Sequence, residues 1–341
     1  MVYISTKNFA DLLRALSGRY AVYAPVSSGA AQYYRRVNGS SEIWEIGGIR
    51  PVEPIKTFYL RAREQVAEGL GASPPTVLPK PVCIVGAKAC DLKAFRVYDY
   101  VFSDLPPADF WYERARGENL VIASDCTWAA PTCFCLAMGV QPYPRDHFDV
   151  CLSPVSGGYL AEAGSPKGGA LIEEHAHLFE PAREEQIAER DAQRKSVVNT
   201  VSENVQKHGV PDHSKLAGAV ERNYASPVWE EEAATCVECG ACNSVCPTCH
   251  CFFLCDQQQE ARIARFRLWD SCLFKDFARV AGGANPRPKL WMRLRNRFEK
   301  KFDFFPKCAD VYACTGCGRC ITACPAKIDI RRVLQRIASD G

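Results

Sequence analysis

The sequence predicts a chain in two parts, an N-terminal α/β or α+β domain followed by a helical C-terminal domain rich in cysteine. Short apolar stretches typical of strands alternate with helical stretches in the first half. The 341 residues are enough for two domains. The nineteen cysteines are unevenly spread, because none precedes Cys83 and none lies between Cys151 and Cys236. We therefore expect an N-terminal domain at 1–183, a helical linker at 184–223 and the cysteine-rich domain at 224–341.

The N-terminal domain shows strand and helix patterns in alternation. The branched, apolar stretches Tyr20–Val26, Val82–Gly86 and Leu120–Ala123 predict strands. Lys88–Val101 has helical spacing directly after the second of these. Phe148–Leu160 has a proline and a glycine pair between apolar stretches, which indicates a hairpin or a loop. This alternation favours a layered α/β arrangement.

The rest of the chain is predicted to be mainly helical. Glu184–Gln206 is polar and helix-forming, which is typical of an exposed connecting helix, and His208–Lys215 resembles a linker. Phe252–Val280 has a helical composition. After a break at Asn285–Pro288, Lys289–Phe302 is again helical in composition.

The segment Arg287–Lys301 carries seven basic residues against the single acidic residue Glu299. Such a run is typical of a solvated helix face. The alternative is a docking patch for an acidic partner. Nucleic acid is not expected as a partner, because the formal net charge is only +3 and no other basic run accompanies this one.

The cysteine content indicates metal or redox chemistry in a reducing compartment. The N-terminal residues lack the basic flank and apolar stretch of a secretory signal. No apolar run approaches the roughly 20 residues of a membrane span. We therefore expect a cytoplasmic protein without a membrane span, in which thiols stay reduced and serve as ligands rather than forming disulfides.

Two segments carry the same pattern, C-x2-C-x2-C-x3-C-P, at Cys236–Pro247 and Cys314–Pro325. It is the run that binds [4Fe–4S] clusters in bacterial ferredoxins, where the fourth cysteine reaches the other cluster. Zinc is the alternative, but it usually takes separated C-x2-C pairs. The spacing assigns Cys236, Cys239, Cys242 and Cys324 to cluster 1, and Cys314, Cys317, Cys320 and Cys246 to cluster 2.

A haem-attachment pattern overlaps the first run at Cys246–His250. Cys246 is already assigned to a cluster, so we do not expect haem, and we expect His250 to pack or form hydrogen bonds near the clusters. Cys246 and Cys314 are 68 positions apart, an interval too long for a small ferredoxin. The arrangement, with a helix expected at Arg331–Ala338, resembles the α-helical ferredoxin module of succinate dehydrogenase and heterodisulfide reductase iron–sulfur subunits.

Further motifs make most of the chain, from about residue 50 to 330, similar to one family. These motifs are Lys56–Leu60, Gly86–Leu92, Cys126–Gly139, and Trp269–Cys272 with Gly282–Arg287 downstream. In them the chain resembles the β subunits of sulfhydrogenase-type cytosolic NiFe hydrogenases and the related iron–sulfur subunits of anaerobic sulfite reductases. It departs from the family motifs at Lys88, at Ala89 and at Trp128–Pro131.

The family motifs also suggest a third [4Fe–4S] cluster in the N-terminal domain. Its ligands would be Cys90, Cys126, Cys133 and Cys135, each in or near a loop that follows a predicted strand. The alternative is that these four are ordinary buried thiols. The remaining cysteines are core thiols around the clusters or part of an additional site; they are Cys83, Cys151, Cys249, Cys251, Cys255, Cys272 and Cys308.

The chain shows no nucleophile–base arrangement, phosphate-binding glycine loop or dinucleotide fingerprint. We therefore expect a non-catalytic electron-transfer subunit. The resemblance implies an FAD-containing reductase subunit on one side and a NiFe hydrogenase or sulfite reductase catalytic subunit on the other. The alternatives are a sulfur or polysulfide reductase with a reactive residue such as Cys272, the electron-input subunit of a heterodisulfide-reductase-like complex, a diffusing carrier, and a zinc-binding interaction protein.

Overall fold

The computed structural model describes residues 1–37, 46–68, 79–259 and 262–339. The strands are β1 (Val2–Ser5), β2 (Ala21–Ser28), β3 (Ala31–Arg36), β4 (Arg63–Glu68), β5 (Val82–Ala87), β6 (Leu120–Ser124), β7 (Val150–Val155), β8 (Gly158–Ala163), β9 (Glu180–Pro181), β10 (Phe252–Gln259) and β11 (Arg262–Trp269). The helices are α1 (Thr6–Ser17), α2 (Ala89–Leu92), α3 (Ala94–Tyr98), α4 (Phe110–Glu118), α5 (Pro166–Glu174), α6 (Glu184–Lys207), α7 (Ala219–Arg222), α8 (Val228–Ala233), α9 (Ala241–Ser244), α10 (Leu290–Glu299), α11 (Phe305–Ala309), α12 (Arg319–Ala323) and α13 (Ile330–Ser339).

The N-terminal half is built on an eight-stranded mixed sheet in the order β3-β2-β5-β6-β7-β8-β1-β9. Strands β2, β5, β6 and β7 are parallel, and the outer strands pair antiparallel. Every residue of β5 and β6 is buried, as expected for central strands covered on both faces. The three predicted strands, the β7–β8 hairpin and the mixed α/β fold class are confirmed.

The C-terminal half packs on one face of this sheet. Phe305, Val311 and Ala313 join the core formed by β5, β6 and the helices α3 and α4. The predicted C-terminal helix is present as α13, and the predicted connecting helix as α6, which is mostly exposed but buries Val197 and Val201. Among the described helices, none is long and apolar enough to cross a membrane.

The prediction of helix over Phe252–Val280 is wrong, because its described residues form two strands and then turns after Trp269, with no helix. Strands β10 and β11 form an antiparallel hairpin, and β11 pairs with β4 of the N-terminal half. Arg267 on β11 forms buried ion pairs with Glu64 and Asp109, and Phe266 is buried beside it. Pairing with a strand that lies about two hundred positions away overrides the local helical composition.

The basic segment Arg287–Lys301 is neither a fully solvated face nor a surface patch. Helix α10 continues into a π-helical turn, Lys300–Phe304, and together they turn several basic side chains inward. The interior accepts these cations because it supplies oxygen, sulfur and aromatic partners for most of them. The side chains that are buried are those of Arg293, Arg295, Arg297 and Lys301.

Candidate iron–sulfur centres

The residues predicted for cluster 1 surround one cavity near the surface. Positive φ angles at Glu238 and Gly240 curl the backbone around it before α9 begins. Cys239 is exposed, and Val237 beside it is 64% exposed. The thiols in the wall come from Cys236, Cys239, Cys242 and Cys324, together with Cys320 from the other predicted set.

The residues predicted for cluster 2 lie deeper in the molecule. Cys246, Cys314 and Cys317 are buried, and Cys320 lies in α12. The Lys301 ammonium lies 3.4 Å from the Cys246 sulfur and donates to the Ala313 carbonyl at 2.8 Å. The structure therefore places a cation beside this set of thiols.

Electrostatics disfavour the free thiolate at two of the four cysteines of this second set. Burial raises the pKa of Cys314 and of Cys320 to about 12. A deprotonated thiol in this interior therefore needs compensating positive charge, which Lys301 supplies in part and bound iron would complete. Sulfur donors of this kind suit iron–sulfur clusters.

The four thiols of the candidate third set line a second cavity. Cys90 follows β5 and Cys126 follows β6, so two adjacent parallel strands deliver them to the same edge of the sheet. Cys133 and Cys135 come from the loop after β6, and Cys317 of the second set lines the same cavity. The third cluster itself stays a prediction.

The loop that holds Cys133 and Cys135 is interlocked with the loop of the second cysteine motif. The Phe134 N–H donates to the Gly316 carbonyl at 2.8 Å. Gly318 has φ +71°, and a Cβ there would lie 2.1 Å from the Thr132 carbonyl oxygen. Only glycine allows this approach of one backbone to another, so the two loops hold a fixed spacing.

Two buried cations near the second and third sets were not predicted as site residues. Arg319 forms a two-pronged ion pair with Asp91, with both N–O distances 2.8 Å, and the side chains are 3% and 0% exposed. Lys88 is fully buried and donates to the carbonyls of Ile46 and Asp125. Burial lowers the pKa of Lys88, and the neighbouring Cys126 thiol opposes that shift. Lys88 and Asp91 lie beside Cys90 in the motif Gly86–Leu92, and this position was the sequence signal that could have identified them as site residues.

Three further cations near the first two sets were also missed. Lys56 donates to the carbonyls of Asn243 and Cys249 at 2.8 and 3.1 Å and lies over the Trp269 ring. Arg297 lines the first cavity. Arg297 and Lys301 are four positions apart, a spacing that places them on one helix face. That spacing could have indicated a shared role beside the cysteines.

The remaining cysteines fall into different environments. Cys83 and Cys151 are buried in β5 and β7, as expected for core thiols. The Asn243 amide donates to the Cys272 sulfur at 3.1 Å, and the Asp270 N–H donates to the Cys251 carbonyl at 2.9 Å. All nineteen cysteines are described, and all are free thiols; Cys249 and Cys255 are half-buried, and Cys308 is exposed.

His250 is a packing residue in this structure. Its ring makes edge contacts with Tyr98, Phe102 and Phe305, and its Nδ1 lies 3.0 Å from the Thr248 carbonyl. Burial lowers the pKa of His250 to about 4, so the ring is neutral near pH 7. This environment agrees with the expected packing role rather than with haem attachment.

Comparison with known proteins agrees with the cysteine motifs and extends beyond them. Residues 235–328 match the family of 4Fe-4S dicluster domains. Over 339 residues the chain is 30% identical to sulfhydrogenase 2 subunit beta of Pyrococcus furiosus, and the match covers 98% of each chain. Because the identity spans both halves of the molecule, the resemblance to the sulfhydrogenase family is confirmed. The chain is an iron–sulfur protein and belongs to the family of sulfhydrogenase beta subunits.

Proposed function

We propose that this chain is an electron-transfer subunit that relays electrons through three [4Fe–4S] clusters arranged in series. One observation carries the proposal. Cys320 of the second predicted set also lines the cavity of the first set, and Cys317 lines the cavity of the third. The second site therefore lies between the other two, which gives a continuous path through the molecule.

A bound [4Fe–4S] cluster supplies one-electron transfer at a potential tuned by charge, hydrogen bonds and solvent exposure. The protein contributes the surroundings. Four thiols per site leave no open iron for a substrate, and apolar residues such as Leu294 and Phe298 line the first cavity. The interlocked glycines Gly316 and Gly318 fix the spacing between the second and third sites.

Both ends of the proposed path reach the surface, which supports contact with two different partners. The first cavity is flanked by Val237, which is 64% exposed, and the third by Trp128, which is 47% exposed. At one end we propose an FAD-containing reductase subunit, and at the other a NiFe hydrogenase or sulfite reductase catalytic subunit. The thiol-rich sites favour assembly in the reducing cytoplasm.

Iron and sulfide analysis of the anaerobically reconstituted chain tests the number of clusters. Three clusters require about twelve irons per chain, and about eight would contradict the third. Cys135→Ala should lose about four irons, whereas Cys308→Ala, which changes an exposed cysteine outside the three predicted sets, should keep all of them.

Turnover of the native complex tests the relay itself. Cys135→Ala should abolish electron transfer between the flavin and catalytic subunits, while each partner still reacts with an artificial donor or acceptor. Unchanged physiological turnover in a variant that has lost the third cluster would contradict the series arrangement. Reduction of polysulfide or sulfite by the isolated chain would instead favour a catalytic role.

A further inference from the structure

Arg297 is buried in α10, and no described carboxylate pairs with it. Its side chain is 5% exposed, and its Nε has no hydrogen-bond partner among the described residues. Among the described buried arginines, Arg50 also lacks a carboxylate partner, but it lies beside the cavity of the third set and donates to the Thr132 hydroxyl. By contrast, Arg293 pairs with Glu238, and Arg319 pairs with Asp91. A guanidinium is always charged, and leaving it buried without an anion costs several kcal/mol. A negatively charged group beside the Arg297 guanidinium would remove this cost.

The surroundings of Arg297 contain sulfur ligands from both predicted C-terminal clusters. It lines the first cavity together with Cys242 of the first set and Cys320 of the second. Among the charges that act on the guanidinium, these two thiols have the strongest influence, and Cys246 also contributes. The side chain thus lies where the two sites meet.

A four-thiolate [4Fe–4S] cluster is anionic and gains one further negative charge when it accepts an electron. A cation fixed in a low-dielectric interior stabilises the more negative state, because the attraction there is screened less than in water. Lys301 provides such a cation for the second site alone, through its contact with Cys246. Arg297 is placed to act on both sites.

We propose that Arg297 is a shared counter-charge for the two C-terminal clusters, which raises the reduction potential of each. It is a positioning residue that acts through charge and does not bind substrate. The inference rests on the proposed presence of these two clusters, but not on the third cluster or on the identity of any partner.

The test is a potentiometric titration, followed by electron paramagnetic resonance, of the reconstituted full chain. Arg297→Gln should keep the iron of both clusters and lower their reduction equilibrium constants at least tenfold, which is about 59 mV for one electron. Arg297→Lys should restore most of the shift because it keeps the charge. Potentials in Arg297→Gln equal to those of the unmodified chain would overturn the proposal.

Arg295→Gln is the matched control. Arg295 lies on the same helix and is 8% exposed, but it contacts the Tyr224 ring and pairs with Glu299 instead of approaching the cysteines. It should leave both potentials unchanged, and a shift as large as that of Arg297→Gln would overturn a site-specific role. If Arg297→Gln assembles no clusters, Arg297→Lys becomes the deciding variant. Full iron content and potentials equal to those of the unmodified chain would support the charge role, and loss of iron in Arg297→Lys would overturn it.

The two proposals can fail separately in these measurements. An iron count of about eight would contradict the three-cluster relay, yet the two C-terminal potentials would still report on Arg297. Conversely, unshifted potentials in Arg297→Gln at an iron count of about twelve would overturn the counter-charge role and leave the relay standing.

Discussion

Replacing Asp91 by asparagine tests whether a buried charge pair holds the N-terminal sheet against the second cysteine loop. Asp91 follows β5, and Arg319 lies between Cys317 and Cys320, so the pair joins the third site to the second. The asparagine keeps the shape of the side chain but removes its charge. It leaves the Arg319 guanidinium, 3% exposed, without an anion in the interior.

Breaking one partner of a buried pair typically costs about 3–5 kcal/mol, because the remaining charge stays desolvated. We expect a loss in this range in the free energy of unfolding of Asp91→Asn, measured by anaerobic denaturant titration of the reconstituted chain. The exposed pair of Asp256 with Arg265, at 44% and 45% exposure, supplies the control. Asp256→Asn should lower the free energy of unfolding far less than Asp91→Asn, because water screens the exposed pair.

A double-mutant cycle measures the interaction energy between Asp91 and Arg319 apart from the contacts that each makes with other residues. Asp91→Leu combined with Arg319→Met should recover part of the loss, since an apolar pair of similar volume is often tolerated in place of a buried ion pair. A loss in Asp91→Asn as small as that of the exposed control would refute the reasoning.

Two further predictions concern backbone packing and pH. Gly318→Ala should lower the free energy of unfolding by about 2 kcal/mol or more, and it should lower the iron content of the second and third sites, because its Cβ would collide with the Thr132 carbonyl. Gly29→Ala is the control: Gly29 has φ +61° and nothing lies within 4 Å of its Cβ position, so this change should cost only about 1 kcal/mol of backbone strain. Burial lowers the pKa of His250 to about 4 against about 6.5 unfolded, so the unfolded chain binds the proton more readily. The free energy of unfolding should therefore fall by about 1 kcal/mol between pH 7.0 and 5.5, and His250→Phe should remove that part of the pH dependence; equal pH dependence in both proteins would contradict this.

The sequence alone was enough where local pattern and chemistry coincide. The repeated motifs at Cys236–Pro247 and Cys314–Pro325 predict clusters, because the required spacing of thiolates is written directly along the chain. Continuous apolar stretches predict β5 and β6, since a strand buried on both faces has no polar side to show. The dicluster family match over 235–328 agrees with the motif interpretation.

Sequence reasoning failed where distant segments decide the structure. The β10–β11 hairpin forms because β11 pairs with β4, and the local composition of the two strands does not identify that distant partner. The basic run of α10 predicts a surface-exposed helix face, because charged side chains are usually solvated. Its inward arginines are stabilised by a carboxylate, carbonyl groups, an aromatic ring and thiols that come from elsewhere in the chain.

The sequence by itself therefore determined that this protein carries two cysteine motifs of the cluster-binding type and belongs with the sulfhydrogenase beta subunits, because cysteine spacing and family motifs are linear properties. Only the tertiary structure decided which cavity each of these cysteines lines. Cys317 and Cys320 face different cavities because α12 begins between them and the glycine backbone packs against the Cys133–Cys135 loop. That arrangement depends on packing between segments far apart in the chain.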